Sequence, residues 1–470
     1  MTKKKTLIAC LLLAVMFFSV VSVFAQAVPT APTAVKNTLR GMNIVIGNWW
    51  SDYDPNTYRP RNDYEERQLD YRKRLVRDYA FTMQNKNIAS WNEMAQIAAT
   101  SIMAGRPAAT VFLMQPDWAL ALYRQNLLYP VGNRSPGTGR SFWNDVKPVE
   151  WNRSVMDAFC FNRRNANEFY AFADGYGGSQ HAAVVFFNKR LFREAGLNEN
   201  ILYDLQRDNQ WTWAKFLEIC KQLTRDTNND GIPDVYAMPA DLSTEILDAL
   251  VSSNGAMYVN KNARTGLLEN VSNSPAFVEA VSFYMRLRDE GVMKPKPPGD
   301  NTPWNWHIPE FNDGRVAMRI DQQYLATNDL RNMRDDWGMV LPPKGPRATK
   351  RYIVFNDENV MVIPNVRGRS AAEIDAILWA VKAWVTPVDD NWKLAEYSNY
   401  RDRRAVDETM ALIRDQSLWQ WKYHLHVPGL NRGHIAWQIW HHDGEPAQLI
   451  EAVSQSWNNL ISDVNNNNID

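Results

Sequence analysis

The sequence predicts an α/β fold, because segments typical of strands alternate along the chain with segments typical of helices. Met42, Ile44 and Ile46 alternate with polar neighbours, which is the pattern of a strand, and a charged helical stretch at 64–78 follows them. The apolar run Ala108–Met114 is typical of a buried strand. Strands that alternate with helices in this way form a mainly parallel sheet with helices on both faces.

Later elements have local signals of their own. Ser90 with Glu93, and Ser370 with Glu373, match the capping box that begins many helices. Val184–Phe187 is typical of a strand. Periodic apolar patterns and caps predict further helices at 189–195, 213–223 and 275–288. The alternation of strands and helices therefore continues into the second half of the chain.

The bulk composition is that of a large globular protein. At 470 residues the chain is too long for one ordinary core and suits two or three packed units. Lys and Arg together number 52, as do Asp and Glu, so we expect no nucleic-acid partner and no attraction to an anionic membrane. The 19 Trp, 18 Tyr and 18 Phe residues can fill cores, but so many rings also suit a protein that stacks them on sugar faces.

The first residues have the organisation of an export signal. Lys3–Lys5 precede an apolar run, Leu7–Val21, and the small residues of a cleavage site end at Ala25. We therefore expect residues 1–25 to be a signal peptide and the mature protein to be periplasmic or extracellular. A membrane anchor is the competing interpretation, but the apolar run is short for a bilayer span. Cys10 lies before the apolar core instead of after it, so we do not expect it to carry a lipid.

The mature chain keeps two cysteines, Cys160 and Cys220. Export permits a disulfide between them. We expect two separate thiols instead, because isolated buried cysteines are common. No cluster of His or Cys in the nearby sequence indicates a metal site or a nucleophilic thiol.

Six short motifs occur in a characteristic order. They are Ala104–Pro107 before an apolar strand, Asn126–Val131, Phe186–Leu197, Trp211–Leu223, Phe311–Met318 and Trp337–Pro346. Together they resemble the extracellular solute-binding proteins of carbohydrate importers, the family that includes maltose-binding protein. Ala108 stands where the family usually has Asp.

The resemblance implies two α/β lobes, a class II periplasmic-binding-protein-like fold in which a hinge lets the lobes close on a ligand. It also implies a monomeric, non-catalytic receptor that delivers a small carbohydrate to the membrane permease of an ABC transporter. The implied segments are a linker at 26–40, lobe one at 41–180 and 360–398, lobe two at 186–354 and 400–470, and hinge crossovers at 181–185 and 355–359. A cleft between lobes can bury a ligand from both sides.

Aromatic and polar residues follow two strands of the first lobe. Trp49 and Trp50 end the first strand, and Gln115 and Asp117 follow the strand at 108–114. In open parallel sheets the ligand crevice lies outside the carboxyl ends of the strands, so we expect these side chains at the cleft. The alternatives are core packing for one of the two Trp residues and a solvated loop for Gln115 and Asp117.

The resemblance adds further candidates. His181 lies in the first crossover, where maltose-binding protein has an acid that contacts sugar, and Tyr324 and Trp437 lie where it has stacking aromatic residues. Asp357 and Glu358 lie in the second crossover, and we prefer Asp357 as the acceptor for sugar hydroxyls. The alternatives are a structural His181, core burial of Trp437 and solvation of the two acids.

A separate motif, D-x-N-x-D-G-x-x-D over 226–234, is typical of a calcium loop. Its expected ligands are the side chains of Asp226, Asn228, Asp230 and Asp234 and the carbonyl of Ile232. Gly231 permits the sharp turn that such a loop needs. Ala237 stands where an EF-hand has its bidentate Glu, so we expect a shorter, structural calcium site. The alternative is an Asx-rich turn without metal.

Two other functions suit a cleft lined by aromatic and polar groups. A secreted glycosidase needs two acids that flank one bond, and no motif in the sequence identifies such a pair. The same fold can also bind a non-sugar solute, because fold does not determine ligand. The neutral net charge disfavours a strongly ionic ligand.

Overall fold

The computed structural model describes residues 26–133, 151–163, 166–177, 181–240, 244–297, 302–303, 305–356, 358–389, 391–441 and 444–467. The expected signal peptide at 1–25 and the candidate ligand residue Asp357 lie outside these ranges. The described residues form two lobes, each with its own sheet and apolar packing. The two-lobed α/β fold expected from the sequence is confirmed. None of the described helices is both long and apolar enough to cross a membrane.

Lobe one is built round a sheet of four strands. Its elements are α1 (Thr33–Leu39), β1 (Asn43–Asn48), α2 (Asp63–Tyr79), β2 (Thr82–Asn87), α3 (Met94–Met103), β3 (Val111–Met114), α4 (Pro116–Arg124), β4 (Gly132–Asn133), α5 (Arg153–Ala158), β5 (Cys160–Arg163), β6 (Ala166–Phe169), β15 (Val360–Val362) and α12 (Ala371–Val385). The strand order is β15-β3-β1-β2, and β1 pairs in parallel with both β2 and β3. These three strands therefore end at the same edge of the sheet.

Lobe two is built round three antiparallel strands in the order β12-β7-β13. Its elements before the return to lobe one are β7 (Ala183–Asn188), α6 (Lys189–Glu194), α7 (Ile201–Arg207), α8 (Trp213–Leu223), β8 (Met238–Pro239), α9 (Glu245–Ser253), β9 (Val259–Lys261), β10 (Leu268–Asn270), α10 (Pro275–Asp289), β11 (Met293–Lys294), α11 (His307–Asn312), β12 (Met318–Gln322), β13 (Trp337–Val340) and β14 (Val354–Asn356). Gly338 in β13 is needed for this packing, because a Cβ there would lie 2.2 Å from the Phe187 ring.

The last part of the chain runs along the seam and over lobe two. After α12 it forms α13 (Lys393–Glu396), a π-helical stretch (Ala405–Met410), α14 (Ala411–Ile413), β16 (Trp419–Trp421), α15 (Gly433–His441) and α16 (Pro446–Asn467). Short 3-10 helices lie at Gln323–Ala326, Gln416–Leu418 and Tyr423–His426. Strand β16 pairs in parallel with β14. Trp419 packs in the core of lobe two and Trp421 in a core of lobe one, so β16 joins the two lobes.

The segment at 26–40 differs from the linker that the sequence suggested. Helix α1 packs against lobe one through the buried Leu39. The Tyr79 hydroxyl also holds the preceding residues, because it accepts the Ala31 N–H at 2.8 Å and donates to the Pro29 carbonyl at 2.7 Å. Contacts from a distant helix, which local sequence does not indicate, therefore order this segment.

The two capping-box motifs have different outcomes. At the start of α12, Ser370 and Glu373 form the reciprocal box: the Ser370 hydroxyl accepts the Glu373 N–H at 3.2 Å, and the carboxylate accepts the Ser370 N–H at 2.7 Å. The Ser90 hydroxyl donates to the Glu93 carboxylate at 2.6 Å, but α3 begins only at Met94. Residues 91–93 form a turn before this helix.

Cys160 and Cys220 are free thiols, as expected from the sequence. Cys160 packs beside a core of lobe one, and Cys220 lies in the core of lobe two. Burial raises the pKa of the Cys220 thiol well above its usual value, so it is an inert core residue.

Candidate functional site

Two cavities lie at the seam between the lobes, and Gly177 lines both of them. The first cavity has a volume of about 220 Å³ and is lined by Ile46, Trp50, Arg72, Asn85, Leu113, Asn152, Ala173, Asp174, Gly177, Glu358, Asn359, Met361, Trp384, Val385 and Trp419. The second cavity has a volume of about 380 Å³ and is lined by Arg61, Gly177, Gln323, Tyr324, Thr327, Asn328, Arg331, Glu396, Ser398, Asn399 and Met410. Lobe one supplies most of the wall of the first cavity. Lobe two and the chain segment at 396–410 supply most of the wall of the second cavity.

The aromatic part of the first cavity wall consists of Trp50, Trp384 and Trp419. Trp50 follows the end of β1 and is 50% exposed. Its position is set by Asn48, whose side-chain oxygen accepts the Trp50 N–H at 2.9 Å, and by Trp49, whose ring centroid lies 4.6 Å away in an edge-to-face contact. The end of β1 thus holds a half-exposed indole at the cavity.

A fixed cation forms another part of this wall. The guanidinium of Arg72, on α2, lies 4.8 Å from the centre of the Tyr53 ring and 4.7 Å from that of Trp384. Its Nε also donates to the Trp384 carbonyl at 3.2 Å. Because the planar group is held by two rings and a hydrogen bond, Arg72 contributes a positioned positive charge to the cavity wall.

Each cavity also contains a carboxyl group that is poorly solvated. Burial raises the pKa of Asp174 in the first cavity, although the Gly177 N–H donates to it at 3.2 Å. Burial likewise raises the pKa of Glu396 in the second cavity, although the Asn399 amide donates to it at 3.1 Å. The positive charge of Arg414 opposes both shifts, so this residue lies within electrostatic reach of both acids.

The wall of the second cavity includes an aromatic ring from lobe two and a paired charge from lobe one. Tyr324, in the 3-10 helix after β12, is partly buried and contacts the His181 ring at 6.0 Å between centroids. Burial raises the pKa of the Tyr324 hydroxyl, which therefore stays protonated and can donate a hydrogen bond. Lobe one contributes Arg61, which is paired with Glu65 at 2.6 Å. The wall therefore combines a hydroxyl donor with charged groups, among them Arg331 and Glu396.

A cluster of buried charges adjoins β12, the strand that leads to this cavity. Glu245 accepts a hydrogen bond from the Gln322 amide at 3.3 Å. Arg432 forms an ion pair with Asp248, and Lys422 lies 3.5 Å from the same carboxylate. Burial, followed by repulsion from Asp248, raises the pKa of Glu245 to about 7.

The structure brings together part of the site set expected from the sequence. Trp50 lines the first cavity and Tyr324 lines the second. Trp49 supports Trp50, and His181 supports Tyr324, through ring contacts. Glu358, the alternative to the undescribed Asp357, lines the first cavity.

Three other candidates line neither cavity. Gln115 precedes the first turn of α4, and Asp117 is exposed within that turn. Trp437 is 43% exposed on α15 and stacks on the His441 ring at 4.3 Å. Their place in a ligand site stays a prediction.

Sequence reasoning missed Arg72, Asp174, Trp384 and Glu396. Trp384 belongs to the apolar pattern of α12 and is almost fully buried, so its pattern indicates a core residue. Arg72 belongs to the charged stretch of α2, and the two acids follow no motif. No local signal distinguishes these four residues from ordinary helix and loop positions.

The loop at 226–234 has the turns of a calcium loop, with its acids engaged in hydrogen bonds. The Asp226 carboxylate accepts the Gly231 N–H at 2.8 Å, and Gly231 has a φ of 90°. Asp230 accepts the Ile232 N–H at 2.8 Å, and Asp234 accepts the Thr227 N–H at 2.7 Å. Within the described ranges, no group of three or more His, Cys, Asp or Glu side chains is arranged to hold a metal ion.

Two α/β lobes, crossings between them and cavities at their seam define a class of protein: the hinged binding protein, which traps a solute between its lobes. Residues 85–386 match the family described as bacterial extracellular solute-binding protein. Because this match covers more than half of the chain, the protein belongs to that family. The resemblance inferred from the six sequence motifs is confirmed. No curated protein matches the chain.

Solved structures show the same fold at low sequence identity. The cyclic α-maltosyl-1,6-maltose binding protein of Arthrobacter globiformis has a TM-score of 0.60 and 12% identity, over 90% of this chain and 100% of that one. An ABC substrate-binding protein of Listeria monocytogenes, solved with cycloalternan, has a TM-score of 0.56 and 15% identity, over 90% and 99%. UgpB of Mycobacterium tuberculosis, solved with glycerophosphocholine, has a TM-score of 0.56 and 15% identity, over 89% and 98%.

Proposed function

We propose that this protein is the substrate-binding receptor of an ABC importer, which captures an oligosaccharide between its lobes and delivers it to a membrane permease. The observation that carries the proposal is the first cavity, where Trp50, Trp384 and Trp419 lie beside Arg72 and Asp174. Two structural neighbours are named for or solved with carbohydrates, a cyclic maltosyl-maltose and cycloalternan, and this supports a carbohydrate as the ligand.

The chemistry of the cavity wall matches the two kinds of surface on a sugar. A pyranose ring has apolar faces that pack against an indole. Its hydroxyls donate to carboxylates such as Asp174 and accept from a guanidinium such as Arg72, and hydrogen bonds to charged groups are the stronger kind. A ligand that satisfies both kinds of group would be held by its shape and by its hydroxyl pattern.

The family match supports binding without catalysis. A glycosidase needs two carboxyl groups on either side of one glycosidic bond. Asp174 and Glu358 line the first cavity and Glu396 lines the second, so the presence of carboxyl groups does not distinguish the two functions. The match to a family of solute-binding proteins favours a receptor over a glycosidase.

One experiment separates the candidate functions. Purified protein is screened by thermal shift against maltodextrins, mannooligosaccharides, xylooligosaccharides and glycerophosphocholine, and each mixture is analysed for products. We expect an oligosaccharide to raise the melting temperature without being cleaved, and small-angle scattering to show a more compact protein in its presence. Cleavage would support the glycosidase. A response to glycerophosphocholine alone would assign a non-sugar solute, for which Arg72 could bind the phosphate.

We also propose that the receptor is exported and that residues 1–25 are removed. The support is the basic, apolar and small-residue order of this segment, together with the extracellular character of the family. Intact mass of the secreted protein should correspond to a chain that begins at Gln26, without a lipid. A lipid on Cys10 would contradict this proposal.

The loop at 226–234 is our proposed structural calcium site. The support is the spacing of its oxygen-bearing side chains and the tight turn at Gly231, although the acids must exchange some of their N–H partners for the ion. Chelation should then lower the melting temperature of wild-type protein, because an ion bound to the folded state stabilises it. Asp230→Ala should remove this response to chelator. An identical wild-type melting curve with and without chelator would refute the site.

A further inference from the structure

Four tryptophans form a continuous row on lobe one. Trp50 contacts Trp49 at 4.6 Å between ring centroids, Trp49 contacts Trp118 at 5.1 Å, and Trp118 contacts Trp91 at 5.5 Å. We call Trp50, Trp49, Trp118 and Trp91 the tryptophan row. Of these four, Trp50 lines the first cavity and the other three line neither cavity. The row therefore begins at the cavity and leads away from it.

The fold explains why these rings meet. Trp49 and Trp50 follow β1, Trp91 follows β2, and Trp118 lies on the helix that follows β3. The three strands are parallel neighbours, so the segments that follow them lie at one edge of the sheet. This edge is where open parallel sheets bind their ligands. Three separate chain segments thus contribute indoles to the edge of the sheet at which ligands bind in open parallel sheets.

The two inner rings of the tryptophan row are partly buried, and the two end rings are exposed to solvent. Trp49 and Trp118 are partly buried and pack against a core of lobe one. Trp50 and Trp91, at the two ends, are 50% and 52% exposed. Two large exposed rings joined through a partly buried pair form a contiguous aromatic surface, and such surfaces on soluble proteins mark binding sites more often than isolated exposed residues do.

We infer that the tryptophan row extends the ligand site and binds the sugar units of an oligosaccharide that project from the first cavity. This inference rests on the proposed function. The first cavity, at about 220 Å³, is smaller than the roughly 300–1,000 Å³ of pockets that enclose a whole drug-sized ligand. A longer oligosaccharide must therefore extend beyond this cavity, and the tryptophan row offers a continuous series of rings from Trp50 in the cavity wall to Trp91. The site thus favours extended oligosaccharides over monosaccharides.

The test compares ligand lengths in one variant and its control. Calorimetric affinities are measured for glucose, maltose, maltotriose and maltohexaose, and for the matching mannose and xylose series, with wild type, Trp91→Ala and Met103→Ala. Met103 is 61% exposed on α3 of the same lobe and has no place in the row, so it controls for loss of an exposed apolar side chain. In the series that binds, we expect Trp91→Ala to lose about tenfold in affinity for the longest sugar and nothing for the shortest.

The other outcomes are decisive. Trp91→Phe should recover part of the lost affinity, because it restores an aromatic face. Equal affinity of wild type and Trp91→Ala for every length would overturn the inference and leave the proposed function intact. A loss that is the same for every length would also overturn it, because a ring that only supports the fold gives no dependence on length. Failure of wild type to bind any of these sugars would overturn the proposed function and the inference together.

Discussion

Replacing Trp50 with Ala should weaken binding of the captured sugar about tenfold. A fully enclosed Trp side chain buries about 150–250 Å². Because Trp50 is 50% exposed, a ligand can cover at most about 75–125 Å² of it, worth about 2–3 kcal/mol at about 25 cal/mol per Å². A sugar stacked on one face of the ring uses about half of this area. Removal of the ring should therefore cost about 1–1.5 kcal/mol of binding free energy, which corresponds to about a tenfold rise in Kd.

The same variant should stay folded, which makes the affinity measurable. The hydrogen bond from its main-chain N–H to the Asn48 side chain survives the substitution. The lost ring contact is the edge-to-face pair with Trp49, and such pairs contribute about 0.5–1.5 kcal/mol. Calorimetry gives the Kd, circular dichroism gives the melting curve, and Met103→Ala is again the control. An unchanged Kd in a folded Trp50→Ala protein would refute the argument that the end of β1 binds ligand.

Substitutions at two further positions, Tyr324 and Glu245, probe lobe two. Tyr324→Ala should raise the Kd about tenfold, whereas Tyr324→Phe should keep most of the affinity; equal affinities for all three proteins would exclude this ring from the site. Glu245 has a pKa raised from 4.5 to about 7, so the folded state holds a proton that the unfolded state releases. The free energy of unfolding should therefore fall as pH rises through this window, by at most about 3 kcal/mol. Glu245→Gln should flatten that dependence in urea unfolding at about pH 5 and about pH 8, and equal slopes for variant and wild type would contradict this cause.

The elements that could be predicted from the sequence are those with local causes. The Ser370–Glu373 capping box defines the start of α12 through hydrogen bonds between residues three positions apart. The alternating pattern of Met42, Ile44 and Ile46 predicts a strand that Trp49 and Trp50 end; the observed strand ends at Asn48, and Trp50 follows it at the carboxyl edge of the sheet. By contrast, the order of residues 26–40 depends on Tyr79, which lies on another helix, and no local pattern records that contact.

The same distinction explains what was missed in the site. Trp50 could be found because a strand end and an aromatic residue coincide in sequence. Arg72 and Trp384 come from α2 and α12, more than 300 positions apart in the chain, and become parts of a cavity wall only when these helices pack together. Asp174 follows no motif. Its pKa is raised because the residue is buried at the seam, and this burial is a property of the assembled lobes.

The seam also explains how occupancy of the cleft can be coupled to its closure. Asp174 and Glu396 line different cavities, and burial raises the pKa of each because their ionised forms lose water. Closure of an empty cleft would remove more of that water, and Arg414 compensates both acids only in part. A sugar whose hydroxyls donate to these carboxylates replaces the lost water, so it interacts more favourably with the closed form than with the open one. That difference in interaction energy is what a ligand needs in order to shift the equilibrium towards closure. Asp174→Asn keeps the shape of the side chain and removes its charge. It should therefore weaken the binding of the sugar and make the empty protein close more readily.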